Sequence, residues 1–133
     1  LDRIREQQKL DVYVHENMII GITYEKVGLP EKGREFIQSY KKYIEGDQTI
    51  YRTLGLSMYY AYMEDFDKAL EYLKLFEKED NILFWVVLFL PEDPIIDKFK
   101  HNPEFKRIWA EIDRKFWDNN SKIRRKLEEE ELL

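Results

Sequence analysis

An internal repeat constrains this chain more than any other feature of it. Sliding residues 17–43, NMIIGITYEKVGLPEKGREFIQSYKKY, forward by 36 lays them on residues 53–79, TLGLSMYYAYMEDFDKALEYLKLFEKE. Ile20 falls on Leu56, Gly21 on Ser57, Tyr24 on Tyr60, Lys32 on Lys68, Gly33 on Ala69, Glu35 on Glu71 and Ile37 on Leu73. A period in the range of about 20 to 50 residues marks one supersecondary unit that cannot bury its apolar face alone, so neighbouring copies complete the core. A chain built this way is a scaffold for holding something.

Each copy reads as a helix hairpin. Apolar residues at i, i+4 and i+7, namely Ile20, Tyr24, Val27 and then Leu56, Tyr60, Met63, predict the inward face of a first helix, followed by a tight turn. The second helix begins at once. Pro30 suits a first helical position, where its missing N–H would have no partner anyway, and Asp65 is a good acceptor for the exposed N–H groups of the next helix. Gly21 with Gly33, and Ser57 with Ala69, put a small residue on each helix where the two cross, as close antiparallel approach requires.

At these positions the chain resembles a tetratricopeptide repeat. Ser57, Tyr60, Phe66, Ala69, Leu73 and Phe76 match that signature in the second copy, and the first matches it less well through Gly21, Tyr24, Gly28, Gly33, Ile37 and Tyr40, with Pro30 in the aromatic's place. The copies depart from the family at their starts, where Asn17 and Thr53 replace Trp, and at their ends, where Glu45 and Asn81 replace Pro. The spacing is also two residues longer than the family's usual period of about 34. The resemblance implies an all-α fold, a right-handed superhelix of antiparallel helix pairs. The expected layout is repeat one over about 14–47, repeat two over about 50–81 and a C-terminal cap over about 82–133, within a single domain over 1–133 that is expected to be a fragment of a longer protein.

Beyond residue 81 the pattern changes. ILFWVVLFL, residues 82–90, is apolar on every side, which predicts a helix buried all round with Trp85 in the core. Asp93-Pro94 and Asn102-Pro103 each pair a capping acceptor with proline at the first helical position. Phe105, Ile108, Trp109, Ile112 and Phe116 then form an apolar stripe, continued more thinly by Ile123, Leu127 and Leu132. This run is similar to the closing segment of repeat domains at the C-termini of bacterial multidomain signalling proteins, whose output domain is a helix-turn-helix DNA-binding domain or a nucleotide cyclase. That similarity implies a sensory or assembly module, with a place in signalling or transcription regulation.

Composition narrows the function further. A net charge of −5 argues against direct nucleic-acid binding, because phosphate affinity is built from clustered Lys and Arg. The nine-residue apolar run is far short of the roughly 20 residues a membrane-spanning helix needs. With no cysteine there is neither a disulfide nor a thiolate metal site, and a reducing cytoplasm is the expected setting. His15 and His101 stand far apart with no metal-ligand spacing, and neither a phosphate-cradling glycine loop nor a nucleophile elbow occurs. No catalytic residue, metal or cofactor is expected.

The remaining expectation is a binding face. In resembling repeats the first helix of each unit lines a concave groove, which by spacing places His15, Met18, Ile22, Glu25 and Lys26 from copy one beside Tyr51, Leu54, Met58, Ala61 and Tyr62 from copy two. Ile22 and Met58 stand where a carboxylate clamp would want amides, so the expected partner is an apolar peptide or protein segment, or a second copy of the chain. Residues 1–10, with Leu1, Ile4 and Leu10, could cover part of such a groove. The alternative from another class is a regulatory domain that senses a small molecule in a pocket beneath residues 85–90.

Overall fold

The computed structural model describes residues 14–132, so the first ten residues and their covering role lie outside it. Among the described residues every regular element is helical. A 3₁₀ turn, Val14–Glu16, leads into α1 (Asn17–Lys26), α2 (Pro30–Gly46), α3 (Tyr51–Tyr62), α4 (Phe66–Phe76) and α5 (Phe84–Phe89). Two further 3₁₀ turns, Leu90–Glu92 and Pro94–Ile96, precede the long α6 (Pro103–Glu129). The chain divides into two compact units, one ending at Arg52 and the other starting at Thr53.

In the first unit α1 packs on α2 through glycine. A Cβ placed on Gly21 would sit 2.7 Å from the Gly33 carbonyl oxygen, and one on Gly33 would sit 2.7 Å from that of Gly21. Only a residue without a side chain permits this approach. Ile37, Tyr40 and Ile44 then bury one side of α2. Asn17 is buried and donates from Nδ2 to Ser39 Oγ at 3.1 Å.

The second hairpin closes on different chemistry. Ser57 Oγ donates to the Ala69 carbonyl at 2.8 Å, and Ala69 is fully buried. Leu73 and Phe76, 36 residues after Ile37 and Tyr40, fill the corresponding core positions.

The turns of the two hairpins match bond for bond. Gly28 N–H bonds to the Glu25 carbonyl and Leu29 N–H to Tyr24, while Glu64 N–H bonds to Ala61 and Asp65 N–H to Tyr60. This pairing ends a helix by turning one residue into the left-handed region. That residue is Gly28 at φ +85° in the first copy and Glu64 at φ 60° in the second. Val27 and Met63, expected on the inward face, are exposed in both copies. They occupy the final position before the turn, past the last packed layer.

The next helix starts in two ways. α2 opens with Pro30 and no side-chain cap, whereas the Asp65 carboxylate accepts from Lys68 N–H at the start of α4. The expected caps at Asp93 and Asn102 are also present, Asn102 accepting from both Glu104 N–H and Phe105 N–H.

In the second unit α6 lies against α4 and α5, burying Phe105, Ile108 and Ile112. Phe66 stacks on Phe99 (5.7 Å), Phe99 meets Phe105 at a tilt (4.8 Å), and Phe105 stacks on Trp109 (5.7 Å). Lys115 donates to the carbonyls of Glu77 and Glu79 at 2.9 and 2.8 Å, satisfying acceptors that the end of α4 leaves open. Lys74 with Glu104 and Arg107 with Glu77 add ion pairs along the same seam.

Candidate protein-interaction surface

The expected groove residues separate into two groups. Met18, Leu54, Met58 and Ala61 are buried, and so are Gly55, Leu56, Ser57 and Tyr59 of α3. These four cannot line an open groove, which corrects the expectation. Gly55, Ser57 and Ala61 carry so little side chain that packing can close around α3, and Leu54 and Met58 are enclosed.

What remains within reach of a partner is smaller. Ile22, Tyr51 and Tyr62 are half-buried, and Tyr51 and Tyr62 stand at opposite ends of α3, about 16 Å apart along its axis. His15 is exposed in the opening 3₁₀ turn, 3.7 Å from the Glu16 carboxylate. His101 is exposed beside the Asn102 cap. Ile19 in the first unit and Met63 in the second are exposed as well.

The repeat signature residues build one arrangement twice. Tyr24 stacks on Phe36 at 5.3 Å with the Lys32 ammonium 4.5 Å above the Tyr24 ring. Thirty-six residues on, Tyr60 stacks on Tyr72 at 5.6 Å with Lys68 5.0 Å above the Tyr60 ring. The pairing of Phe36 with Tyr72 was there to be found, since both are aromatic at the repeat offset, but the alignment read from the sequence passed over it. Lys68 also pairs with Asp65 at 3.1 Å. The hydrogen bond from Lys68 holds the exposed Asp65 carboxyl below its usual range, and the same bond raises the Lys68 ammonium. Leu29 occupies the Asp65 position in the first copy.

The helix expected to be buried all round is instead the most exposed apolar element of the second unit. In α5 only Val86 and Val87 are buried, while Phe84, Leu88 and Phe89 are 56%, 49% and 62% exposed. Leu83 and Trp85 are exposed as well, which removes Trp85 from the core. The helix has only six residues and packs against α6 on one side, so it has too few neighbours to cover its whole circumference.

A cleft of about 240 Å³ lies in the same unit, lined by Glu79, Asp80, Asn81 and Ile82 and, from α6, by Lys115, Phe116, Asn119, Asn120 and Ile123. None of its lining comes from residues 85–90, and it is smaller than the roughly 300–1,000 Å³ of drug-sized sites. Among the described residues no group of three or more His, Asp or Glu is placed to hold a metal ion. Nor is any described helix long and apolar enough to cross a membrane.

Compared with known proteins, the chain matches no protein-family model, no curated protein and no solved structure.

Proposed function

We propose that this chain is a protein-interaction scaffold of tetratricopeptide-like hairpins, a non-catalytic sensory or assembly module of a bacterial multidomain signalling or regulatory protein. The observation carrying this reading is the duplicated hairpin. Turn hydrogen bonds, helix crossing and lysine-capped aromatic stack all recur at 36 residues. Repeats of this kind stack into a right-handed superhelix and present the same side of each unit to a partner. Ile22, Tyr51 and Tyr62 are the members of the expected face that retain exposure, and tyrosine offers large contact area with a polar tip.

The test is to select peptides from a displayed library against the folded chain, then compare Tyr51→Ser/Tyr62→Ser. The expected result is a loss of about 30-fold or more in affinity, corresponding to one hot spot of about 2 kcal/mol, with unchanged helicity. Unchanged affinity in the folded double variant would refute a binding face at these tyrosines.

A further inference from the structure

We propose that the outer side of α5 is a second docking site, taking a cationic amphipathic helix from another protein. Phe84, Leu88 and Phe89 are about half exposed or more, and the Phe84 and Phe89 rings meet edge to face at 6.3 Å, forming a preassembled apolar platform. Phe84 and Leu88 lie four residues apart, so their side chains share one side of the helix. Val86 and Val87 anchor the opposite side. Apolar surface clustered in this way marks an interaction site more often than bare exterior.

Charge identifies the occupant. Between residues 77 and 97 stand six carboxylates and one lysine, a net −5 that equals the charge of the whole protein. Glu77, Asp80 and Asp97 have cations beside them in Arg107, Lys115 and Lys100. Glu79, Glu92 and Asp93 form no direct ion pair among the described residues, and Glu92 acts on the Lys100 ammonium only at longer range. Glu92 follows Phe89 by three residues, so its backbone is at most about 10 Å away. That is close to one screening length at physiological salt. An apolar platform with an anionic border repels an anionic bilayer, and it repels the same border on a second copy of this chain too. A helix with apolar residues at i, i+4 and i+7 flanked by Lys or Arg satisfies both features at once.

This site uses elements separate from the repeat face, so the two readings can fail independently. The intact chain is titrated with a labelled amphipathic helical peptide of leucine and lysine, and with a counterpart carrying glutamate for lysine, by fluorescence anisotropy. The lysine peptide should bind about 10-fold tighter or more, and the preference should shrink at high salt. Phe84→Ser/Phe89→Ser should cost at least about 10-fold, Glu79→Gln/Glu92→Gln should reduce the preference, and Tyr51→Ser/Tyr62→Ser should change nothing. If the serine pair melts early, Leu88→Lys is the second variant and should weaken the lysine peptide equally.

Equal binding of the two peptides would overturn the proposal, as would undiminished binding to the folded Phe84→Ser/Phe89→Ser variant. So would self-association, seen by light scattering, that this variant abolishes, since the occupant would then be a second copy. Phosphatidylserine vesicles binding through the same residues in preference to the peptide would make it a membrane contact and equally overturn it.

Discussion

Helices α3 and α5 exchange the roles their compositions suggest. α3, YRTLGLSMYYAY, mixes threonine, glycine, serine and tyrosine, yet Leu54 through Tyr59 are all buried. α5, FWVVLF, is wholly apolar, yet four of its six residues are exposed. The difference lies in what surrounds each helix. α3 is the first helix of a hairpin, and its small residues let packing close over it. α5 is a six-residue link between the repeats and α6, covered on one side. Burial here follows position in the packing scheme, and apolar content alone misassigns both helices.

Substitutions can break this comparison, the largest effect lying in α3. Leu56→Ala should destabilise by about 2–5 kcal/mol, the cost of lost burial plus a cavity, read from a urea unfolding midpoint at unchanged slope. A loss below about 1 kcal/mol would place Leu56 on a surface.

Next comes the crossing of the first hairpin. Gly33→Ala would force a methyl against the Gly21 carbonyl and should cost about 1–3 kcal/mol, although alanine is the better helix former. Thermal melts of Gly33→Ala check this, and any gain in stability would show that the helices can separate at no cost.

Ser57→Ala sharpens the contrast between the hairpins. It removes the bond to the Ala69 carbonyl without creating a clash, and should cost about 1 kcal/mol by chemical denaturation. The smallest effect belongs to α5. Phe84→Ser should shift unfolding by no more than about 0.5 kcal/mol, as expected of a side chain facing water. A loss as large as that of Leu56→Ala would mean that α5 is core and would remove the basis for docking there.

What the sequence made legible was local. Pro30, Asp65, Asp93 and Asn102 start helices because their chemistry acts on N–H groups two or three residues away. The small residues at both crossings were readable because helices joined by only three residues, 27–29 and 63–65, pack antiparallel and approach closely where small side chains meet. Which side of a helix meets water was not readable where both sides are apolar or small. Met18, Leu54 and Met58 satisfy the spacing of a groove and also the spacing of a core, and only the packing around them separates the two. The same ambiguity concealed α5, since continuous apolarity is shared by a buried helix and a docking surface. The all-helical character survived these errors because it rests on periodicity and caps, which do not depend on what packs from elsewhere.

The three methionines provide the most direct test of where the accessible surface lies. Met18 and Met58 are 3% and 8% exposed, and Met63, five residues from Met58, is 51% exposed. Brief hydroxyl-radical labelling of the folded chain, read residue by residue by mass spectrometry, compares identical side chains in different surroundings. Met63 should oxidise at least about tenfold faster than Met18 or Met58, with Phe84 and Phe89 labelled ahead of Tyr59, because oxidation follows exposure. Met58 oxidising as fast as Met63, with Phe84 and Phe89 protected, would contradict the account by restoring α3 as the open face and α5 as the core.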